Sequence, residues 1–260
     1  IAGTSRNLSL FINEIIPKYL HIDQYVNEKR LKIANIRSYQ KESRVLVSHS
    51  QLGKAEFNNL DFSHFKMVSF EQSNLVDCIF TNITWAKTVY GSSPSKGDKM
   101  SNRSFSSKSR ETFRQLKYAM SKQGDVINEQ KFHALEMGMY FETLTWRNDF
   151  WTKLIIFLSW LTSDFGQSFW RPLVFIFVFH SLFFLPLLFG FFSEFRISIT
   201  EFSFPAFWKG LNTYLFLMNP LRKPDQEIFY GGWICIDVLM RISSSYMIYN
   251  MIRATRRFIK

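Results

Sequence analysis

From Pro172 to Phe192 the chain contains no charged residue, and this run limits its folding more than any other feature. A helix of that length covers roughly 31 Å, one hydrocarbon thickness of a bilayer. His180 and Ser181 are its polar residues, and a soluble core helix is rarely so apolar on every side. The run predicts a transmembrane span over 172–192, kinked at Pro186 and edged by Arg171. His180 sits mid-span, where it is expected to face another helix and hydrogen-bond there.

A second apolar stretch, 230–252, closes the chain and carries Asp237 and Arg241 near its middle. At 100° per residue Asp237, Arg241, Ser244 and Ser245 fall within roughly 100° of one another. The two charges are four apart with the acid first, the better order for an intrahelical pair. An arginine alone at mid-bilayer costs about 2.5–3.5 kcal/mol. The stripe is therefore expected to face protein or water inside a homo-oligomer. Asp237, Arg241, Ser244, Ser245 and His180 are the candidate pore-lining or intramembrane polar residues.

Two shorter segments accompany these spans. Residues 147–166, with Lys153 and Asp164 near the ends, predict an interfacial helix on the lipid bilayer. Residues 204–219, with Pro205 in the first turn and a stop at Pro220, predict a re-entrant or interfacial helix too short to cross. The connection 193–228 balances four basic residues against four acidic ones, whereas both flanks are basic. A multi-pass protein of a bacterial inner membrane, with both termini cytoplasmic, follows from that asymmetry. The net charge of +11 lies largely beside these apolar segments, not in an aromatic-interleaved patch, so no nucleic-acid partner is expected. Opening on Ile1 is expected of a fragment or processed product, and no secretory signal leads it.

The first half has a different period. Leu60, Phe65, Phe70, Leu75, Phe80 and Trp85 recur every five residues, neither the helical nor the strand period. Two places earlier run Ser63, Val68, Ser73, Cys78 and Ile83, mostly small. Such columns suit a narrow β-solenoid over 51–90, each side one short unit with its central side chain inward. Residues 1–50 read as a mixed helical segment, with LSLFINEII at helical spacing. Residues 91–110 hold eight serines and five basic residues against one acid, the composition of a flexible linker. Residues 111–146 read as a helical hairpin, with Phe113, Leu116, Ala119 and Met120 on one stripe, and Gly124 and Asp125 at the turn. Glu129, His133 and Glu136 share a face with metal-like spacing, but a solvated face accounts for them and no metal or cofactor is assigned. Cys78 and Cys235 form neither a disulfide scaffold nor a thiolate site.

The module order, with SNLVD in the repeat, FRQLK in the hairpin and SDFGQSFWRPL before the first span, resembles bacterial pentapeptide-repeat membrane proteins. Some of these carry a two-helix, potassium-channel-like C-terminal region. The resemblance implies an α+β membrane protein and an ion-channel-like effector, as in bacterial stress or phage defence. The chain reads LMNPLRKPD where the channels place their filter, so potassium selectivity is not implied. The other reading is a non-conducting, membrane-anchored scaffold whose repeat module binds a protein. No phosphate-cradling loop or nucleophile–base constellation appears, so an enzyme is not expected.

Overall fold

Parallel strands stacked coil upon coil account for the whole first third of the chain. The computed structural model describes residues 1–5, 9–38, 42–86, 89–91, 99–190, 204–223 and 234–256. The described strands are β1 (Gly3–Thr4), β2 (Ser9–Asn13), β3 (Tyr19–Asp23), β4 (Tyr25–Val26), β5 (Arg30–Ala34), β6 (Arg44–Ser48), β7 (Glu56–Asp61), β8 (Met67–Glu71), β9 (Ile79–Thr84) and β10 (Val89–Tyr90). They form a sheet of order β2-β5-β7-β9, a second of order β3-β6-β8-β10, and a short pair β1-β4. Bridges from Val26 to Gln51 and from Gln51 to Asn74 continue that pair as a third side. Every named pairing is parallel, as a β-solenoid requires.

The five-residue column points inward: Leu60, Phe65, Phe70, Leu75, Phe80 and Trp85 are all buried. One coil takes more than four five-residue sides, however. Asn59 meets Asn82, and Ser50 meets Ser73, each 23 residues on. The extra residues go into corners. Gln24, His49 and Gln72 turn one corner with φ of 50, 47 and 47°, and Glu14, Asn35, Asn59 and Asn82 turn another with φ of 54, 53, 51 and 52°. Asparagine tolerates this left-handed backbone better than most L-residues. The amides also staple the coils: Asn82 donates to Asn59 (2.8 Å), Asn59 to Asn35 (2.6 Å) and Asn35 to Asn13 (2.9 Å). Inside, the Ser50 hydroxyl accepts from Tyr25 N–H and the Ser73 hydroxyl from Ser50 N–H.

Residues 1–50 are therefore solenoid, not the helical segment expected. LSLFINEII contributes β2, whose alternating half-buried and exposed residues belong to a sheet. Its apolar positions fit both periods, and stacking on β5 decides between them.

A helical hairpin closes the last coil. It comprises α1 (Lys99–Lys122) and α2 (Val126–Thr143). Gly124 adopts φ +70° at the turn, and Asp125 caps α2 by accepting from Asn128 N–H. Phe113, Leu116, Ala119 and Met120 join the solenoid core, and Phe132 meets Trp85 edge-on at 4.9 Å. An open strand edge would leave backbone groups bare. Here Gln115 accepts from Leu75 N–H, Gln123 accepts from Phe80 N–H and donates to Cys78 C=O, and Lys131 donates to Ala86 C=O.

The linker expected over 91–110 is helical from Lys99 onward; 92–98 lie outside the described residues. Ser106 and Ser109 are buried, and Thr112 donates to Phe70 C=O. Serine-rich sequence serves here as the small face of a helix laid close on a sheet. The approach is tightest at Gly91, where an added Cβ would lie 2.2 Å from Ser109 Cα. Gly91→Ala is expected to lift α1 and cost about 1–3 kcal/mol, read as a lower urea midpoint.

The chain divides into two units, Ile1–Phe157 and Leu158–Lys260, with α3 (Phe150–Ser163) beginning in the first. The second unit holds α4 (Trp170–Gly190), α5 (Phe204–Met218) and α6 (Ile234–Arg256).

Among the described residues no helix is long and apolar enough to cross a membrane. α3 and α5 have 14 and 15 residues. α6 has 23 but includes Asp237, Arg241, Arg253 and Arg256. α4 has 21, with side chains described as far as Leu185; Pro186 and residues 191–192 and 230–233 lie outside the described set. The two-span membrane fold, the multi-pass inner-membrane location, and the pore and channel assignments built on them are corrected accordingly. The interfacial and re-entrant readings of α3 and α5 fall with them.

Candidate functional site

The second unit is polar inside. Its buried apolar cluster is small, Phe184, Leu217 and Met240, while His180, Arg222, Asp237, Ser244 and Asn250 are buried too. On α6 the buried residues are Asp237, Met240, Ser244, Met247, Asn250 and Ala254, at the three-and-four spacing of one helix face.

Asp237 is the centre of a charge cluster. It accepts from Arg222 through Oδ1 and from Arg241 Nε through Oδ2 at 2.8 Å. Arg241 also donates through Nη1 to Arg222 C=O at 2.9 Å, which ties the turn after α5 to α6. The Arg222 side chain is fully enclosed, whereas that of Arg241 keeps 22% of its surface exposed. One carboxylate thus holds two guanidiniums.

His180 joins three helices. Nδ1 lies 3.1 Å from Ile176 C=O, and Nε2 lies 3.3 Å from Leu217 C=O and 3.1 Å from Ser244 Oγ. Ser244 Oγ is also 2.8 Å from Met240 C=O, to which it donates. Beside it, Tyr214 of α5 donates to Phe177 C=O and meets Ser181. Burial pushes the His180 imidazole below its ordinary value; the Leu217 and Ile176 carbonyls pull the other way, and the Arg222 charge adds to the depression. Imidazole is therefore neutral at neutral pH.

The sign of the resulting pH effect is fixed. Below the ordinary value of 6.5 the unfolded chain takes up a proton that the folded one refuses. The stability of this unit is expected to be level above that pH and to fall as pH drops below it. Urea midpoints from pH 7.5 to 5 should show the slope, and His180→Gln should flatten it.

The structure thus brings Asp237 to Arg241 and His180 to Ser244, all spent on internal contacts. Ser245 stays outside the network, exposed on the opposite side of α6. Sequence reasoning missed Arg222, counted only in a charge balance. Its partner is 15 residues away, beyond any helical spacing. Among the described residues no three His, Cys, Asp or Glu side chains group to hold a metal. Glu136 instead pairs with Lys117 at 2.7 Å.

The solenoid offers a second feature. A groove of about 450 Å³ runs along its outer face, lined by Phe11, Ile12, Asn13, Lys32, Ala34, Asn35, Asn58 and Asn59. Phe11 stands directly on Lys32, and Lys32 on Glu56, so three coils supply one graded column. Phe11 is 58% exposed.

Comparison with known families, with curated proteins and with solved structures finds no match to this chain.

Proposed function

We propose that the chain is a non-enzymatic scaffold whose β-solenoid docks a protein partner. The observation that carries this reading is the groove beside the asparagine ladder, where an exposed aromatic, a cation and amides are held in register by a rigid stack. Stacked coils keep such side chains at fixed spacing of about 4.8 Å, which favours recognition of an extended surface. Aromatic and amide side chains give apolar area and adaptable hydrogen bonds at low entropic cost. The inward five-residue column supports a degenerate pentapeptide-repeat solenoid.

The reading is tested by replacing Phe11 with a photoreactive benzoylphenylalanine in the full chain and irradiating cells. A discrete adduct with another protein, abolished by Lys32→Glu and missing when the same probe replaces exposed Tyr118, is expected. Equal adducts at both positions, or none at Phe11, would remove the groove as a docking site.

A further inference from the structure

The face of α6 turned away from the polar network has no covering in the structure. Cys235, Val238, Ile242, Ser245, Tyr249 and Ile252 are all exposed. They alternate by three and four, the heptad spacing of a helix seam. α6 therefore has two packing faces, one polar and spent within the unit, the other apolar and open.

We propose that this second face packs antiparallel on the α6 face of another copy of the chain. Area, spacing and charge support that occupant. Ile234, Val238, Leu239, Ile242, Tyr246, Ile248, Tyr249 and Ile252 are each between 36% and 61% exposed. At about 100 Å² for each half-exposed large side chain they offer roughly 800 Å² per copy, the share a stable interface needs. The three-and-four alternation is what a helix presents to a helix. The last turn bears Arg253 and Arg256. Parallel pairing would set these cations side by side, and antiparallel pairing separates them and opposes the helix dipoles. In that register Cys235 meets Ile252 of the other copy, Val238 meets Tyr249, and Ile242 meets Ser245. This goes beyond solenoid docking and does not depend on it.

Cys235 is a built-in reporter, because the other cysteine, Cys78, is buried and its thiol is pushed up to about 12 by burial. The full chain should sediment as a dimer, and Ile242→Arg should weaken association about tenfold or more. Ile242 is 61% exposed, and unchanged far-UV circular dichroism will show the variant folded. Under mild copper–phenanthroline oxidation, Ile252→Cys should give a covalent dimer, lost in Cys235→Ser/Ile252→Cys, while the native chain should not cross-link. Disulfide-linked dimers of the native chain would overturn the antiparallel pairing. A monomeric mass, or a monomer that floats with phosphatidylcholine vesicles, would overturn the self-association.

Discussion

Replacing Asp237 by alanine is expected to destabilise the helical unit by about 3–5 kcal/mol, the usual cost of breaking a buried ion pair from one side. The loss falls mainly on Arg222, whose side chain is wholly enclosed and would keep its charge without the carboxylate it donates to. Arg241 suffers less, since part of its side chain reaches solvent. Arg222→Met combined with Asp237→Leu should recover much of the loss, because an apolar pair avoids the desolvation that the ions incur. Urea unfolding with amide exchange read along α6 separates the cases. A loss near that of an exposed pair, below about 1 kcal/mol, would mean that water reaches the cluster.

The other large effect is expected at Trp85. Its ring lies 5.4 Å from Phe80, 5.8 Å from Phe62 and 4.9 Å from Phe132, so it fastens the last coil to α2. Trp85→Ala should cost about 3–5 kcal/mol through lost contacts and a cavity that surrounding rings cannot fill. Trp85→Phe should cost under about 1.5 kcal/mol. The indole N–H has no acceptor among the described residues, so phenylalanine removes an unmet donor with the missing ring. Comparable losses for the two variants would show that volume, not ring contact, sets the stability of this junction.

Part of this organisation was legible because its signals are local. The column from Leu60 to Trp85 repeats at one interval and marks the solenoid interior. The stripe Phe113–Met120 and the Gly124–Asp125 turn lie within a few helical turns. The first coils were not legible, because β2 satisfies the helical period as well as the strand period, and their order comes from partners about a coil away. A signal was present in Asn35, Asn59 and Asn82, which recur at coil spacing in a backbone conformation asparagine favours. The serine-rich stretch misled because composition alone cannot tell a loose tether from a helix that must lie close. Within the site, Asp237 and Arg241 were found together by their four-residue spacing, and His180 was expected to meet another helix. Arg222 comes from a turn, and Ser245 was placed on the wrong side by the width assigned to the polar stripe. The membrane reading treated an uncharged run as sufficient. The helices between Leu158 and Arg256 instead carry ions and an imidazole on their mutual contacts and turn their apolar residues outward.

The asparagine ladder gives the solenoid a polarity in how it yields. Each amide holds its neighbour, and only the far end is sealed by the glutamines and Lys131 of the hairpin. Peeling can therefore proceed rung by rung from the coil of β2, each step releasing one staple and one strand pairing. A pull applied at the hairpin has to part the aromatic junction first. The same stack is brittle from one side and tough from the other.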